Sequence, residues 1–382
     1  MTGGTGSGRA AVSVTGVGRA LTGGAGVRGS AGGTGILNAA VRAVRAALVD
    51  AGVAGPAVDG VLACGAAGAD IADALGLELK WRTQESDRTS IGAALVQAVD
   101  AVAAGRVGHL VCVEASAGSP TRLVTPARIG AVTPVAGWPG WHAPYGADSA
   151  LVAAALAARA YTERYGLTRT ELAQVALVAS ANVGRSLRLR DYLAAPMIAD
   201  PLCVHDRAET IRGAAAAAIV LSGAAAVREP VSRAVAVAGS GAAYGVSPLA
   251  EQESARPVGV VERAAAALWS RADSGVRDVG VVMLGDEFSF AVLPWLEALG
   301  FCAVGAAGSF VATGRRIARG GDLPLNPHGG HLGLGKRPDL DLVVAAVAQV
   351  RGDAGPVQVL GPPGVAVVGL GGASAAGCLL LR

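Results

Sequence analysis

The chain has 382 residues, a formal net charge of +3 and 52% apolar residues, of which few are aromatic. This length suits two domains and a large buried core, and the abundant Gly and Ala favour close packing of helices on sheets. The near-neutral charge without a basic tract argues against nucleic-acid binding, and no run is long and apolar enough to predict a membrane span. The five cysteines lack metal-type spacing, so we expect no metal site and a reducing, cytoplasmic location.

The chain repeats its own pattern of elements. An apolar strand that ends in a glycine turn occurs at 11–18 and again at 234–241, and a helical pattern follows each at 36–51 and 260–271. Further predicted elements pair in the same way: strands 58–64 with 279–284, helices 90–105 with 340–352, and strands 109–114 with 364–369. Alternating strands and helices predict parallel sheets covered by helices. The sequence therefore predicts an α/β protein of two similar halves, 1–230 and 231–382.

Residues 115–200 form a predicted insertion in the first half. Its first part is rich in Pro, Gly and Trp, and two helical patterns follow at 149–165 and 168–182. The second begins with a capping box, because Glu171 lies three residues after Thr168. Such an insertion shapes a substrate pocket or serves as a structural or oligomer-forming flap; the residues leave both roles open.

Several motifs in order resemble the sterol-carrier-protein-X type of thiolase and the thiolase-like lipid-transfer proteins, over nearly the whole chain. They are Tyr145-Gly146, Tyr165-Gly166-Leu-Thr, Glu171-Leu-Ala, Pro196-Met-Ile-Ala-Asp-Pro-Leu202, Leu296-Glu-Ala-Leu-Gly-Phe-Cys302, Asn326-Pro-His-Gly-Gly330 and Val347-Ala-Gln-Val-Arg-Gly-Asp-Ala-Gly355. The resemblance implies the thiolase fold in a five-layered αβαβα arrangement, a homodimer across the first-half sheets and acyl-CoA-like substrates. It also implies three catalytic positions: a nucleophilic cysteine at a helix N-terminus, a histidine in a Gly-His-Pro loop, and a second cysteine in a Cys-x-Gly-Gly loop.

The chain departs from this pattern at all three positions. Thr89 or Ser90 stands where the nucleophile is expected, and Ser90 also fits a helix N-cap. Lys336 replaces the histidine, and Gly369 replaces the second cysteine. We interpret Cys112, Cys302 and Cys378 as packing residues. Ordinary thiolase chemistry, which needs these thiols and the histidine, is therefore not expected.

The sequence still contains polar groups suited to an aldol or retro-aldol step. Such a step needs a base for a hydroxyl proton and donors that stabilise an enolate on the thioester oxygen. The candidate catalytic residues are His328, His331, Lys336, Tyr145 and Ser90. The candidate substrate or oxyanion-binding residues are Gly329, Gly330, Gly371, Gly372, Thr89 and His142. Each has a structural alternative: loop packing for Tyr145 and His142, a surface or core-capping role for the histidines, a solvated loop lysine for Lys336, and tight turns for the glycine pairs.

Three functions remain open from the sequence. The first is aldol or retro-aldol cleavage of a coenzyme A or acyl-carrier thioester, with a small partner carrying a zinc ribbon and an OB-fold, as the aldolases in this group have. The second is a catalytically silent scaffold subunit, and the third is conventional acetyl transfer. No covalently bound cofactor is expected; coenzyme A enters as part of the substrate.

Overall fold

The computed structural model describes residues 11–22, 33–65, 70–85, 90–118, 149–227, 233–245, 259–372 and 374–382. The strands are β1 Val12–Thr22, β2 Gly60–Gly65, β3 Trp81–Glu85, β4 His109–Gly118, β5 Met197–Ala199, β6 Leu202–Cys203, β7 Gly213–Gly223, β8 Val235–Tyr244, β9 Val281–Leu284, β10 Ala366–Gly371 and β11 Ala375–Leu381. The helices are α1 Gly33–Ala51, α2 Asp70–Leu75, α3 Ile91–Ala103, α4 Ala150–Tyr165, α5 Arg169–Asn182, α6 Leu189–Ala194, α7 Gly259–Trp269, α8 Val292–Ala298, α9 Ala307–Val311, α10 Gly330–Leu334 and α11 Leu340–Arg351. Within these parts of the chain, no helix has the length and apolar character needed to cross a membrane.

The main strands lie in the order β3-β2-β4-β7-β1-β8-β11-β10-β9. The strands β3, β2 and β4 pair in parallel, as do β9 and β10, whereas the strands between them pair antiparallel. Only two residue pairs join β1 to β8. The main strands of the described part of the chain therefore form two sheets that meet at one short contact, one from each half of the sequence, and β5 pairs with β6 in a separate two-stranded sheet.

Helices cover both sheets on both faces. The outer layers are α1, which packs on β1, β7 and β4, and α7, which packs on β8 and β11. The helices α3 and α11 each contact strands of both sheets, so they form a layer between the sheets. This is the predicted five-layered αβαβα arrangement. The central layer is thin, because a Cβ atom added to Gly377 of β11 would lie 2.1 Å from the backbone of Gly92 in α3.

The elements predicted from periodicity are present in the structure with small shifts at their ends. Four strands were not predicted: β3, β5, β6 and β7. Strand β7 contains five consecutive alanines, Ala214–Ala218, and alanine favours helices by intrinsic propensity. Here its small side chains let α1 and α11 pack against the two faces of a strand that pairs with β4 and β1, and this tertiary packing outweighs propensity.

The helices of the insertion pack against the second half of the chain. Helix α5 contacts α9 and α10, and it begins with the predicted capping box, in which Thr168 accepts from the Glu171 amide and Glu171 accepts from the Thr168 amide. At its other end, the Asn182 side chain donates to the Asn326 carbonyl at 3.2 Å. The insertion thus supports the Asn326-Pro-His-Gly-Gly loop. The first part of the insertion, residues 119–148, lies outside the described residues.

Candidate active site

The N-terminus of α3 lies against the C-terminal glycine turn. Ser90 is the N-cap of α3, and its Oγ accepts from the Gly92 amide at 3.2 Å. Gly371, at the end of β10, touches this serine so closely that an added Cβ would lie 2.3 Å from the serine Oγ, and its φ of +79° also favours glycine. The two positions that the resemblance assigns to the nucleophile and to the second glycine loop are therefore adjacent. Ser90 has the capping geometry that was one of its two predicted roles.

The space next to Gly369 is filled by an indole ring. A Cβ atom at Gly369 would lie 2.8 Å from Cδ2 of Trp295 and 3.0 Å from a methyl carbon of Leu284. Trp295 is almost fully buried, and its Nε1 donates to the Gly371 carbonyl at 3.1 Å. The indole therefore occupies the volume that a cysteine side chain would need, and its hydrogen bond fixes the glycine turn.

The loop after β9 joins the glycine turn to the Asn326 loop. The Gly285 amide donates to the Gly369 carbonyl at 2.9 Å. The Asn326 side chain pairs with the backbone of Leu284 in both directions, at 2.9 and 2.8 Å, and holds a positive φ of 43°. Asp286 follows Gly285 in the chain and is buried. These contacts place Asp286 and Glu287 between the two glycine-containing loops.

Asp286 explains the glycine at position 330. Its carboxylate accepts from the His331 amide at 2.7 Å and so caps the short helix α10. A Cβ atom on Gly330 would lie 2.1 Å from this carboxylate, and Gly330 has a φ of +60°. Burial raises the pKa of Asp286, and the neighbouring His331 partly opposes that rise. Gly330 is thus required by the capping contact, which is a structural role; the neighbouring Gly329, with a φ of +111°, packs on Val183.

Lys336 is the centre of an ionic cluster. Its Nζ lies 2.5 Å from Oδ1 of Asp339 and 3.5 Å from Oε2 of Glu287, and about a third of the side chain is exposed. Burial lowers the pKa of Lys336, but these two carboxylates raise it more, so the net pKa lies above that of an ordinary lysine. Lys336 is therefore a paired cation. It is not a neutral base in this arrangement.

Glu114 joins this cluster from the middle of β4. Its Oε2 accepts from the Leu340 amide at 2.9 Å, at the start of α11. Burial and the nearby Asp339 carboxylate raise the pKa of Glu114 to about 7, although the Leu340 amide and Lys336 oppose the rise. For Asp339, burial raises the pKa, but Lys336 and His331 lower it to a net value below the usual range. Of these two neighbouring carboxyl groups, Glu114 is the one that exchanges a proton near neutral pH.

The two histidines occupy different environments. His331 is buried; its Nδ1 accepts from the Arg337 amide at 3.3 Å, and its Nε2 lies 3.2 Å from Oδ1 of Asp339 without good hydrogen-bond alignment. Burial lowers the pKa of His331, but Asp339 more than compensates and the net pKa is raised. Burial lowers the pKa of His328 to about 4, and its buried Nδ1 has no hydrogen-bond partner among the described residues. At neutral pH, His328 is therefore uncharged.

The cysteines do not form a replacement nucleophile. Cys112 and Cys378 are buried in β4 and β11, and burial raises the pKa of both thiols, that of Cys378 to about 12. Burial and the Glu297 carboxylate raise the pKa of Cys302 to about 12. Thiols with a raised pKa contain little of the reactive thiolate. The three cysteines have the packing environment expected from the sequence.

The structure brings together most, but not all, of the candidate residues. Ser90, Gly371 and Gly372 form one side of the site, whereas His328, Gly329, Gly330, His331 and Lys336 lie on the adjoining loop. Thr89, His142 and Tyr145 lie outside the described residues.

Four residues were not identified from the sequence: Trp295, Asp286, Glu287 and Asp339. The three carboxylates could have been recognised from their positions in the sequence. Asp286 and Glu287 lie just after the predicted strand 279–284, and Asp339 precedes a predicted helix, at positions where α/β proteins hold functional groups.

A cleft of about 720 Å³ lies elsewhere, around His109 and Ser222. His109 begins β4, whereas Glu114 and the cluster lie toward the other end of that strand. The cleft contains none of the candidate residues. The site is therefore defined by the contacts among the loops and not by this cleft.

Comparison with known proteins agrees with this geometry. A family model described as "Thiolase C-terminal domain-like" matches residues 241–381. The solved structure "Ltp2-ChsH2(DUF35) aldolase" superposes with a TM-score of 0.79 and 26% identity, over 97% of each chain. The chain has the thiolase fold, and residues 241–381 are similar to a thiolase C-terminal domain. The predicted fold and the predicted likeness to the thiolase-like aldolases are confirmed.

Three curated relatives match this chain over part of their length. They are the "Steroid side-chain-cleaving aldolase" of Thermomonospora curvata (30% identity over 223 residues, 56% of this chain), the "17-hydroxy-3-oxo-4-pregnene-20-carboxyl-CoA lyase" of Mycobacterium tuberculosis (30% over 227 residues, 55%) and the "Acetyl-CoA acetyltransferase" of Methanothermobacter thermautotrophicus (31% over 219 residues, 54%). The matched stretches span 57%, 57% and 56% of these relatives, which is less than two thirds of each. The likeness covers only part of these relatives, so the activity has to be argued from the site.

Proposed function

We propose that this protein makes or breaks a carbon–carbon bond in a coenzyme A or acyl-carrier thioester by aldol or retro-aldol chemistry. The observation that carries the proposal is the filled space at Gly369, where the Trp295 indole lies in the place of a thiol side chain. Together with a capping serine at position 90, it argues against an acyl-enzyme intermediate on sulfur. A retro-aldol step needs no such intermediate.

The residues of the site can supply what this step requires. When the bond between Cα and Cβ of a β-hydroxyacyl thioester breaks, negative charge develops on the thioester oxygen. The Lys336 ammonium and the Gly371 amide are the candidate groups to stabilise it, because the Gly372 amide already donates to the Ala375 carbonyl at 3.0 Å. His328 and His331 are candidates for positioning the substrate, as are Thr89, His142 and Tyr145 from the parts of the chain that are not described.

The proposal includes partners. Two relatives are named as a side-chain-cleaving aldolase and a carboxyl-CoA lyase, and the similar solved structure is titled as a complex with a DUF35 protein. These names support a thioester substrate and a small zinc-ribbon/OB-fold partner for this chain. A homodimer is supported by β3, which is an edge strand of the first sheet among the described residues. A reducing cytoplasmic location fits the five cysteines, which form no disulfide among the described residues.

A direct assay tests the proposal. The full chain, alone and with a purified zinc-ribbon/OB-fold protein, is incubated with a β-hydroxyacyl-CoA and, separately, with acetoacetyl-CoA plus free coenzyme A. We expect the hydroxyacyl thioester to give a shorter acyl-CoA and a carbonyl product, with no thiolysis in the second reaction. Thiolysis with an acyl adduct on a cysteine would overturn the proposal. Inactivity under both conditions would instead favour the silent scaffold subunit.

A further inference from the structure

The carboxyl group of Glu114 lies where the two halves of the site meet. Strand β3 leads into α3, which leads into β4, and β3 and β4 both pair in parallel with β2. The first turn of α3 therefore lies at the end of the sheet where β4 finishes, which places Ser90 and Glu114 at the same end. Glu114 also bonds to the start of α11 at Leu340, so it touches the central helical layer.

The charged groups around Glu114 all belong to loops of the site. From the loop before α11, Asp339 raises the pKa of Glu114 and Lys336 lowers it. Lys336 in turn contacts Glu287, from the loop after β9. The neighbours of Glu114 in the sheet are Cys64 on β2 and Ala217 on β7, and neither brings a charge of opposite sign. Lys336 is thus the one cation near it among the described residues.

We infer that Glu114 is the proton-transferring residue of the reaction, first as base and then as acid. This inference rests on the proposed aldol-type function. The Glu114 carboxylate removes the proton from the β-hydroxyl group of the substrate. The electrons of the O–H bond form the carbonyl of the leaving product, and those of the Cα–Cβ bond form the enolate of the thioester. Glu114 then returns the same proton to Cα, so that protons and electrons balance without an oxidant, a metal or a covalent intermediate.

The alternative role for Glu114 is to cap α11 without touching the substrate. A carboxylate at a helix N-terminus is ordinarily stabilised in its charged form. Here burial and Asp339 prevail over the Leu340 amide, and the pKa of Glu114 reaches about 7 instead of falling. A residue that only capped the helix would gain nothing from this second carboxylate beside it. A proton carrier that works near neutral pH needs such a pKa.

The variant Glu114→Gln separates the two roles. The amide oxygen of glutamine can still accept from the Leu340 amide, so the helix keeps its cap, but the side chain no longer exchanges a proton. We expect kcat for retro-aldol cleavage to fall by about 100-fold or more, with KM within threefold of the wild-type value and an unchanged melting temperature at pH 5. Glu114→Asp should retain part of the activity. Glu78→Gln, the same change at an exposed residue away from the site, serves as the control.

The pH profile and isotope exchange give readouts that capping would not change. Because Glu114 must begin deprotonated, wild-type kcat should rise with pH around a midpoint near 7, and Glu114→Gln should lose this rise. When the product acyl-CoA is incubated in D₂O without the carbonyl product, the wild-type protein should exchange an α-hydrogen for deuterium, and Glu114→Gln should not. A Glu114→Gln protein with wild-type kcat, pH profile and exchange would overturn the role of Glu114 while leaving retro-aldol cleavage intact. Absence of cleavage and exchange in the wild-type protein with its partner would overturn both.

Discussion

Restoring the missing thiol by Gly369→Cys tests how far this site has diverged from one that uses sulfur. The backbone of Gly369 does not have a positive φ, so any penalty comes from the space around its Cβ. That space is bounded by the Trp295 ring at 2.8 Å and by Leu284 at 3.0 Å, both closer than normal Cβ contacts. The ring cannot turn aside easily, because its Nε1 is bonded to the Gly371 carbonyl. We expect Gly369→Cys to lower the free energy of unfolding by about 1–3 kcal/mol, the usual cost of overpacking a core.

A double-mutant cycle isolates this contact. Trp295→Leu leaves a cavity and removes the indole donor, and we expect a loss of roughly 2–4 kcal/mol, somewhat below the range for complete truncation of tryptophan. In the double variant the thiol fills part of that cavity, so the combined loss should be smaller than the sum by about 1 kcal/mol or more. Urea unfolding of the three variants measures these values. Additive losses, or a Gly369→Cys protein as stable as the wild type, would refute the steric argument.

Four further changes have definite expected outcomes. Ser90→Ala should lower the free energy of unfolding by about 1 kcal/mol through loss of the helix cap while retaining cleavage; complete loss of activity with an acyl-serine in the wild-type mass spectrum would instead identify a nucleophile. Gly330→Ala should destabilise the fold by more than about 2 kcal/mol, since Cβ would strike the Asp286 carboxylate at 2.1 Å; urea unfolding with a normal midpoint would contradict this. Lys336→Met removes a charge that lowers the pKa of Glu114, so the midpoint of the kcat–pH profile should move to higher pH, and a midpoint that stays fixed would exclude this coupling. Glu114→Gln should be more stable than the wild type above pH 7, because the folded-state pKa of Glu114 is raised from 4.5 to about 7. The wild type loses roughly 3 kcal/mol of folding free energy as pH rises through this interval. Equal stability of the two proteins at pH 8, measured by urea unfolding, would show that the carboxyl is solvated.

The sequence predicted the architecture well, because the two halves repeat one pattern of buried strands and helices. It failed at β7, where consecutive alanines carry no strand signal and only the neighbouring strands and helices determine the structure. Motif positions indicated which catalytic groups had been replaced. They could not indicate what fills the resulting space, because Trp295 is far from Gly369 in the sequence. The pairing of Lys336 with two carboxylates from different loops was hidden for the same reason.

The close approach of α3 to β11 has a consequence for how the site can change. At Gly92 and Gly377 the two backbones touch directly, without any side chain between them that could shrink or swell. The distance between the start of α3 and the glycine turn is therefore set by main-chain atoms, and substitutions elsewhere in the sheets cannot easily widen it. New substrates must be accommodated by the loops around this fixed backbone contact. Variation among proteins of this type should therefore concentrate in those loops, while the contact between α3 and β11 stays constant.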